Sequence, residues 1–226
     1  MTIPRNYENL HILHENTLPN RCYYIPASKI VHTLVEHRED SDRFQSLNGT
    51  WHFQYYNSIY DLQDRFLERR DCKDLQSDMK KETALGDFGC WLYADCNTDK
   101  SDMVSVPGVW QNYGYDNHQY TNIHYPFPFD PPYVPQDNPC GIYVRDFSYH
   151  SMEDASDAYL VFEGVDSCMY VYINGQFVGY SQVAHSTSEF DATPYLTDGE
   201  NVLQVLVLKW CDGSYLEDQD KFRTSG

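Results

Sequence analysis

Residues 168–182 read CMYVYINGQFVGYSQ, two apolar and aromatic runs on either side of Asn174-Gly175. Asn-Gly accepts the two positive φ angles of a type I′ turn, so the spacing predicts a tight β-hairpin. Working outward, GIYVRDFSY (141–149), AYLVFEGV (158–165) and NVLQVLVLKW (201–210) have the same strand character. TDGEN (197–201) is a second tight-turn signal. Short strands separated by turns about every 8 to 12 residues predict an all-β domain, a sandwich or jelly roll.

Further upstream, LNGTWHFQYY (47–56) places a turn at Asn48-Gly49, and Trp51, Phe53 and Tyr55 then alternate with polar residues as in a half-buried strand. In SIYDLQDRFLERR (58–70), Ile59, Leu62 and Phe66 have helical spacing and predict a short amphipathic helix. Residues 71–100 are charged with scattered glycines and read as loop, and MVSVPGVW (103–110) resumes strand character before Pro107-Gly108. Residues 1–46 show no dominant period and are interrupted by Pro4, Pro19 and Pro26, so they are expected to form an extended arm lying on something else. The domain proper is then expected over 47–226. Residues 111–140 hold Pro126, Pro128, Pro131, Pro132, Pro135 and Pro139 among many aromatics. Proline blocks both helix and central strand, so this is a long rigid loop of the kind that usually carries function.

Composition narrows the partners. Lys and Arg number 16 against 34 Asp and Glu, a formal net charge of −18. Such a surface repels phosphate backbones and anionic bilayers, so neither nucleic acid nor membrane is an expected partner, whereas a neutral sugar is compatible with it. No apolar run approaches the ~18 residues that span a bilayer. The first ten residues, MTIPRNYENL, lack the basic and apolar regions of a signal peptide. Seven Cys, at 22, 72, 90, 96, 140, 168 and 211, include no C-x-x-C pair, which argues against structural zinc. Together these features predict a soluble cytoplasmic protein with reduced thiols.

Two stretches could carry chemistry. The loop supplies Trp110, Tyr120, Asn122 and Tyr125, aromatic faces for the CH face of a pyranose and an amide for its hydroxyls; the alternative is that they pack over one end of the sandwich. WCDGSYLEDQD (210–220) sets four carboxylates directly behind a strongly apolar strand. They could be a solvated acidic tail, although Gly213, Tyr215 and Leu216 between them favour a structured turn, a glycosidase carboxyl pair, or a strand end at which Asp212 binds a cation or a sugar hydroxyl. Composition does not choose among these. The chain has no phosphate-cradling glycine loop, no G-x-S-x-G and no H-E-x-x-H.

VPGVWQNYGYDNHQYTNIHYPFPFDPPYVPQDNPCGIYVRDF, LNGTWHF, FEGVDSCMYVYINGQFVGYSQ, SEFDATPYLTDGENVLQVLVLKW and DGSYLEDQDKFRTSG together resemble the N-terminal region of the β-galactosidases of glycoside hydrolase family 2. YENLHILHENTLP is similar to that family's leading arm, with Tyr7 and Leu10 where a W-E-N-P motif has Trp and Pro. The resemblance covers nearly the whole chain and is weakest at 70–103. It implies a sugar-binding jelly roll, preceded by an arm, set against a catalytic barrel. The two catalytic glutamates would lie on that barrel, downstream of Gly226, so this chain is expected to be truncated, to hold no catalytic residue and to be inactive alone. By matching motifs, Asn122 and Asp212 are expected to contact galactose, with Tyr120 beside them. Asp212 is also expected to supply one ligand of a sodium site, while magnesium ligands are expected outside the chain. Glu217, Asp218 and Asp220 are expected to fix the turn by hydrogen bonds. The implied partners are galactosides, the catalytic barrel of the same enzyme or of a partner subunit, and further copies in a homo-oligomer. Two other functions compete: an autonomous carbohydrate-binding module, and a purely structural or assembly domain.

Overall fold

The computed structural model describes residues 3–34, 36–62, 101–118 and 126–217. Nine strands lie among them: β1 (His14–Glu15), β2 (Gly49–Tyr56), β3 (Asp102–Val106), β4 (Cys140–Tyr149), β5 (Tyr159–Phe162), β6 (Cys168–Ile173), β7 (Gln176–Gln182), β8 (Ser188–Asp191) and β9 (Gly199–Leu208). Seven form one antiparallel sheet in the order β1-β7-β6-β9-β4-β2-β3, and β5 pairs with β8 in a second. The predicted hairpin is β6–β7, with Asn174 at φ 51° and Gly175 at φ 74°, both in the left-handed region a type I′ turn needs. Residues 59–62 begin the expected helix and bury Ile59 and Leu62. Phe66 and the expected 71–100 loop fall outside the described residues.

β6 shows how the layers arise. Side chains alternate across a strand, so a strand covered on both faces must be apolar at every position. All six β6 residues are buried. Cys168, Tyr170 and Tyr172 share one face with Tyr180, Ile142, Leu206 and Leu208. Met169, Val171 and Ile173 share the other with Val178, Leu203, Val205 and Val207. Phe190 of β8 and the adjoining Ala192 cover that second face, with Trp110 and Phe53 in the same cluster and Leu160 and Phe162 packed alongside. The first face is covered by Ile3 and Tyr7 of the arm, by Ile59 and Leu62, and by Val134 and Cys211. Each such aliphatic side chain contributes about 1.5–3 kcal/mol when fully buried. The result is an all-β sandwich of the jelly-roll type.

The first residues do more than lie against this sandwich. His14 and Glu15 pair with Ser181 and Tyr180 at the edge of β7, and Thr17 bridges to Phe190 in β8, so one short segment joins both sheets. The Leu18 N–H donates to the Glu189 carbonyl (2.8 Å), and Arg21 pairs with the Glu189 carboxylate. Gly179 makes the approach possible: a Cβ there would lie 2.4 Å from the Glu15 carbonyl oxygen and 2.6 Å from the Phe190 ring. A two-residue strand is too short to show a period of two, which is why no strand is legible here in the sequence.

Candidate functional site

β9 delivers the chain into residues 209–217, where the predicted site residue Asp212 lies. The apolar strand gives way abruptly to polar residues, and almost every one of them is tied to another element. Lys209 pairs with Asp116 in a nearly dry setting, with side chains only 9% and 13% exposed. Asn138 grips the Trp210 main chain from both sides: its Nδ2 donates to the Trp210 carbonyl (2.7 Å), and its Oδ1 accepts from the Trp210 N–H (2.9 Å). Ser214 Oγ accepts from the Cys211 N–H (3.1 Å) and donates to Ser167 Oγ (3.2 Å), which in turn donates to the Lys209 carbonyl (2.9 Å). A short helix, Ser214–Glu217, follows.

Asp212 itself sits in the turn between strand and helix. Its N–H donates to the Tyr7 carbonyl (2.7 Å), so the beginning of the chain backs the turn directly. The side chain is turned inward: the residue is 4% exposed, and among the described residues its Oδ1 has no hydrogen-bond partner. Burial pushes the carboxyl above its ordinary pKa, while the Gln182 amide and the Gly213 N–H approach it and pull the other way. The Gln182 amide has a defined orientation, because the Tyr180 hydroxyl donates to its Oε1 (2.6 Å) and leaves the NH₂ to face the carboxylate. Leaving an anionic oxygen buried and unsatisfied costs free energy, so such an atom calls for a positive or proton-donating partner. Among the described residues no three His, Cys, Asp or Glu side chains cluster as a metal site.

The Pro/aromatic loop meets this turn on both sides. Before residue 119, Asp116 reaches Lys209; from residue 127 on, Phe127 packs edge-on against Trp210 (5.1 Å) and Tyr215 (5.5 Å), and Phe129 against Tyr215 (5.2 Å). The Tyr215 hydroxyl accepts from the Asp130 N–H (3.2 Å) and lies 2.5 Å from the Tyr133 carbonyl and 3.3 Å from that of Pro128. Tyr120, Asn122 and Tyr125 lie outside the described residues, as do Asp218 and Asp220. Trp110, by contrast, is buried against Phe53 and Tyr55 and serves as packing rather than as an exposed platform. Sequence reasoning missed Gln182, Asn138 and the Lys209–Asp116 pair. A lysine closing an apolar strand was the one available signal, since an isolated cation there calls for a counter-charge.

Residues 44–226 match the family model for the sugar binding domain of glycosyl hydrolases family 2. The chain belongs to this family. It is 47% identical over 227 residues to a β-galactosidase of Actinobacillus pleuropneumoniae, matching 100% of this chain and 19% of that protein. To a β-galactosidase of Staphylococcus xylosus it is 42% identical over 221 residues, covering 97% of this chain and 19% of the relative. The chain thus spans about a fifth of the length of these curated relatives. A solved β-glucuronidase of an uncultured Clostridium sp. aligns with 72% of the chain and 21% of its own, at 18% identity and a TM-score of 0.44. No helix among the described residues is long and apolar enough to cross a membrane.

Proposed function

We propose that this chain is the sugar-binding domain of a β-galactosidase, a retaining hydrolase of terminal β-D-galactosides, and that it forms one wall of the galactose site. The observation that carries the reading is the buried Oδ1 of Asp212, without a partner among the described residues, in a turn to which the Pro/aromatic loop is fastened on both sides of residues 119–125. Asp212 accepts from a sugar hydroxyl and supplies one oxygen to a sodium ion; the cation, when bound, neutralises the carboxylate and orients the sugar hydroxyls. Asn122 donates to a sugar hydroxyl from the loop, with Tyr120 beside it. Both catalytic glutamates and the magnesium ligands belong to a downstream barrel, so this chain alone hydrolyses nothing. The 36 to 47% identity with β-galactosidases across nearly the whole chain supports that substrate class. The longer enzyme is proposed to be a cytoplasmic homo-oligomer.

The test is a chimera in which this chain replaces the 227 matching residues of the Actinobacillus enzyme. It is expected to cleave a nitrophenyl β-galactoside. Asp212→Ala should lower kcat/KM at least about a hundredfold and Asn122→Ala about tenfold, as lost transition-state contacts do. A folded chimera whose kinetics ignore Asp212→Ala would overturn the reading and leave the domain a structural one.

A further inference from the structure

We propose that Tyr215 is a positioning residue for this site: its hydroxyl couples the Pro/aromatic loop to the turn that carries Asp212. The inference deepens the proposed function and rests on it. A tyrosine hydroxyl has one proton and two lone pairs, and here it meets three loop groups at once. It accepts from the Asp130 N–H, donates to the Tyr133 carbonyl, the nearer of its two acceptors, and keeps the Pro128 carbonyl within 3.3 Å. Residues 126–139 contain no helix or strand, so main-chain pairing within a sheet does not hold this part of the loop. Tyr215 holds residues 128–133 through its hydroxyl, while Glu8, Ser58 and the Ile59 N–H hold residues 134–138.

Tyr215 is well placed for such coupling because the turn beneath it is stiff. The Ser214 N–H donates to the Cys211 carbonyl and the Leu216 N–H to that of Gly213, both at 2.9 Å, so residues 211–216 form one hydrogen-bonded unit containing Asp212. The Tyr215 ring is buried and wedged edge-on between Phe127 and Phe129, and that packing sets the hydroxyl's position without using its hydrogen bonds. On the Trp210 side, Asn138 holds the same segment two residues before Asp212. A displacement of the loop is therefore passed to the carboxylate through Tyr215, and the reverse. A sugar that touches both halves then finds them already aligned, which lowers the ordering cost of binding.

Tyr215→Phe keeps the ring and deletes only the hydroxyl. In the isotope-labelled chain, amide exchange at both Asp130 and Asp212 is expected to accelerate at least about tenfold relative to the wild type, as local opening of a coupled unit does. In the chimera the same variant is expected to raise KM several-fold while kcat stays within about twofold, the pattern of lost uniform binding. Faster exchange at Asp130 with Asp212 unchanged would overturn the coupling, and so would an unchanged KM in a chimera that does respond to Asp212→Ala. A chimera indifferent to Asp212→Ala would instead overturn the site itself, and the exchange comparison would still decide whether the two segments are coupled.

Discussion

β6 is wholly buried and the turn at 209–215 largely so, yet they are built on opposite terms. β6 places six buried side chains between two layers, satisfies its main chain through the β7 and β9 ladders, and draws its stability from apolar surface removed from water. The turn and the groups that grip it place Lys209, Asp116, Asn138 and Asp212 in largely dry surroundings and depend on each polar atom finding its partner. Among the described residues one of those atoms, Asp212 Oδ1, has none. A fold gains nothing by burying an unsatisfied carboxylate. The contrast teaches that the sheet is held by apolar burial and the turn by matched polar partners, so the two respond to different kinds of substitution.

The contrast can be broken at either end. Tyr170 is fully buried, and Tyr170→Ala is expected to cost about 3–5 kcal/mol by denaturant titration, as truncation of a large core ring does. Lys209→Met strands the Asp116 carboxylate in the same dry setting and is expected to cost about 3 kcal/mol or more, most of it recovered in the Lys209→Met/Asp116→Leu double variant. A double variant no better than the single one would show that the pair does more than cancel its own burial.

Asp212→Asn is expected to stabilise the chain by about 1–2 kcal/mol at pH above the folded pKa of Asp212, because it removes the cost of a buried charge with one unsatisfied oxygen. The pH dependence follows from the raised carboxyl pKa. A group whose folded pKa exceeds its unfolded value favours folding most at low pH, and that contribution is lost as pH rises through the folded pKa. The advantage of Asp212→Asn should therefore be absent in acid, where the wild-type carboxyl is protonated, and grow as pH rises through the raised folded pKa. Thermal melts across that range check it. The smallest effect concerns Val183, which ends β7 at φ 85°, a left-handed conformation that a β-branched residue rarely adopts. Val183→Asn should raise stability by roughly 1 kcal/mol by relieving that strain, read as a shift in thermal midpoint.

Much of the sheet was legible in the sequence because its signals are local. Asn174-Gly175 fixes a hairpin by turn geometry alone, and the apolar runs at 168–173 and 201–208 mark strands whatever surrounds them. The arm's place was not legible, since His14–Glu15 becomes a strand only by docking beside Gly179, a contact 164 residues distant along the chain from Glu15. Asp212 could be named from a matching motif, but its inward orientation could not. That orientation depends on Tyr7, Gln182 and Asn138, which meet only after folding. Tyr215 stood in view within DGSYLEDQD, yet its role appears only when the loop carbonyls are seen around its hydroxyl.

The most direct test of the account is the sodium dependence of KM in the chimera, compared for wild type and Asp212→Asn in sodium and potassium buffers of equal ionic strength. The account predicts that sodium lowers KM for the wild type, whereas Asp212→Asn, though more heat-stable, shows a high KM that is the same in both salts. An Asp212→Asn enzyme that keeps both its sodium response and its wild-type KM would contradict the central claim that this buried carboxylate serves the sugar site.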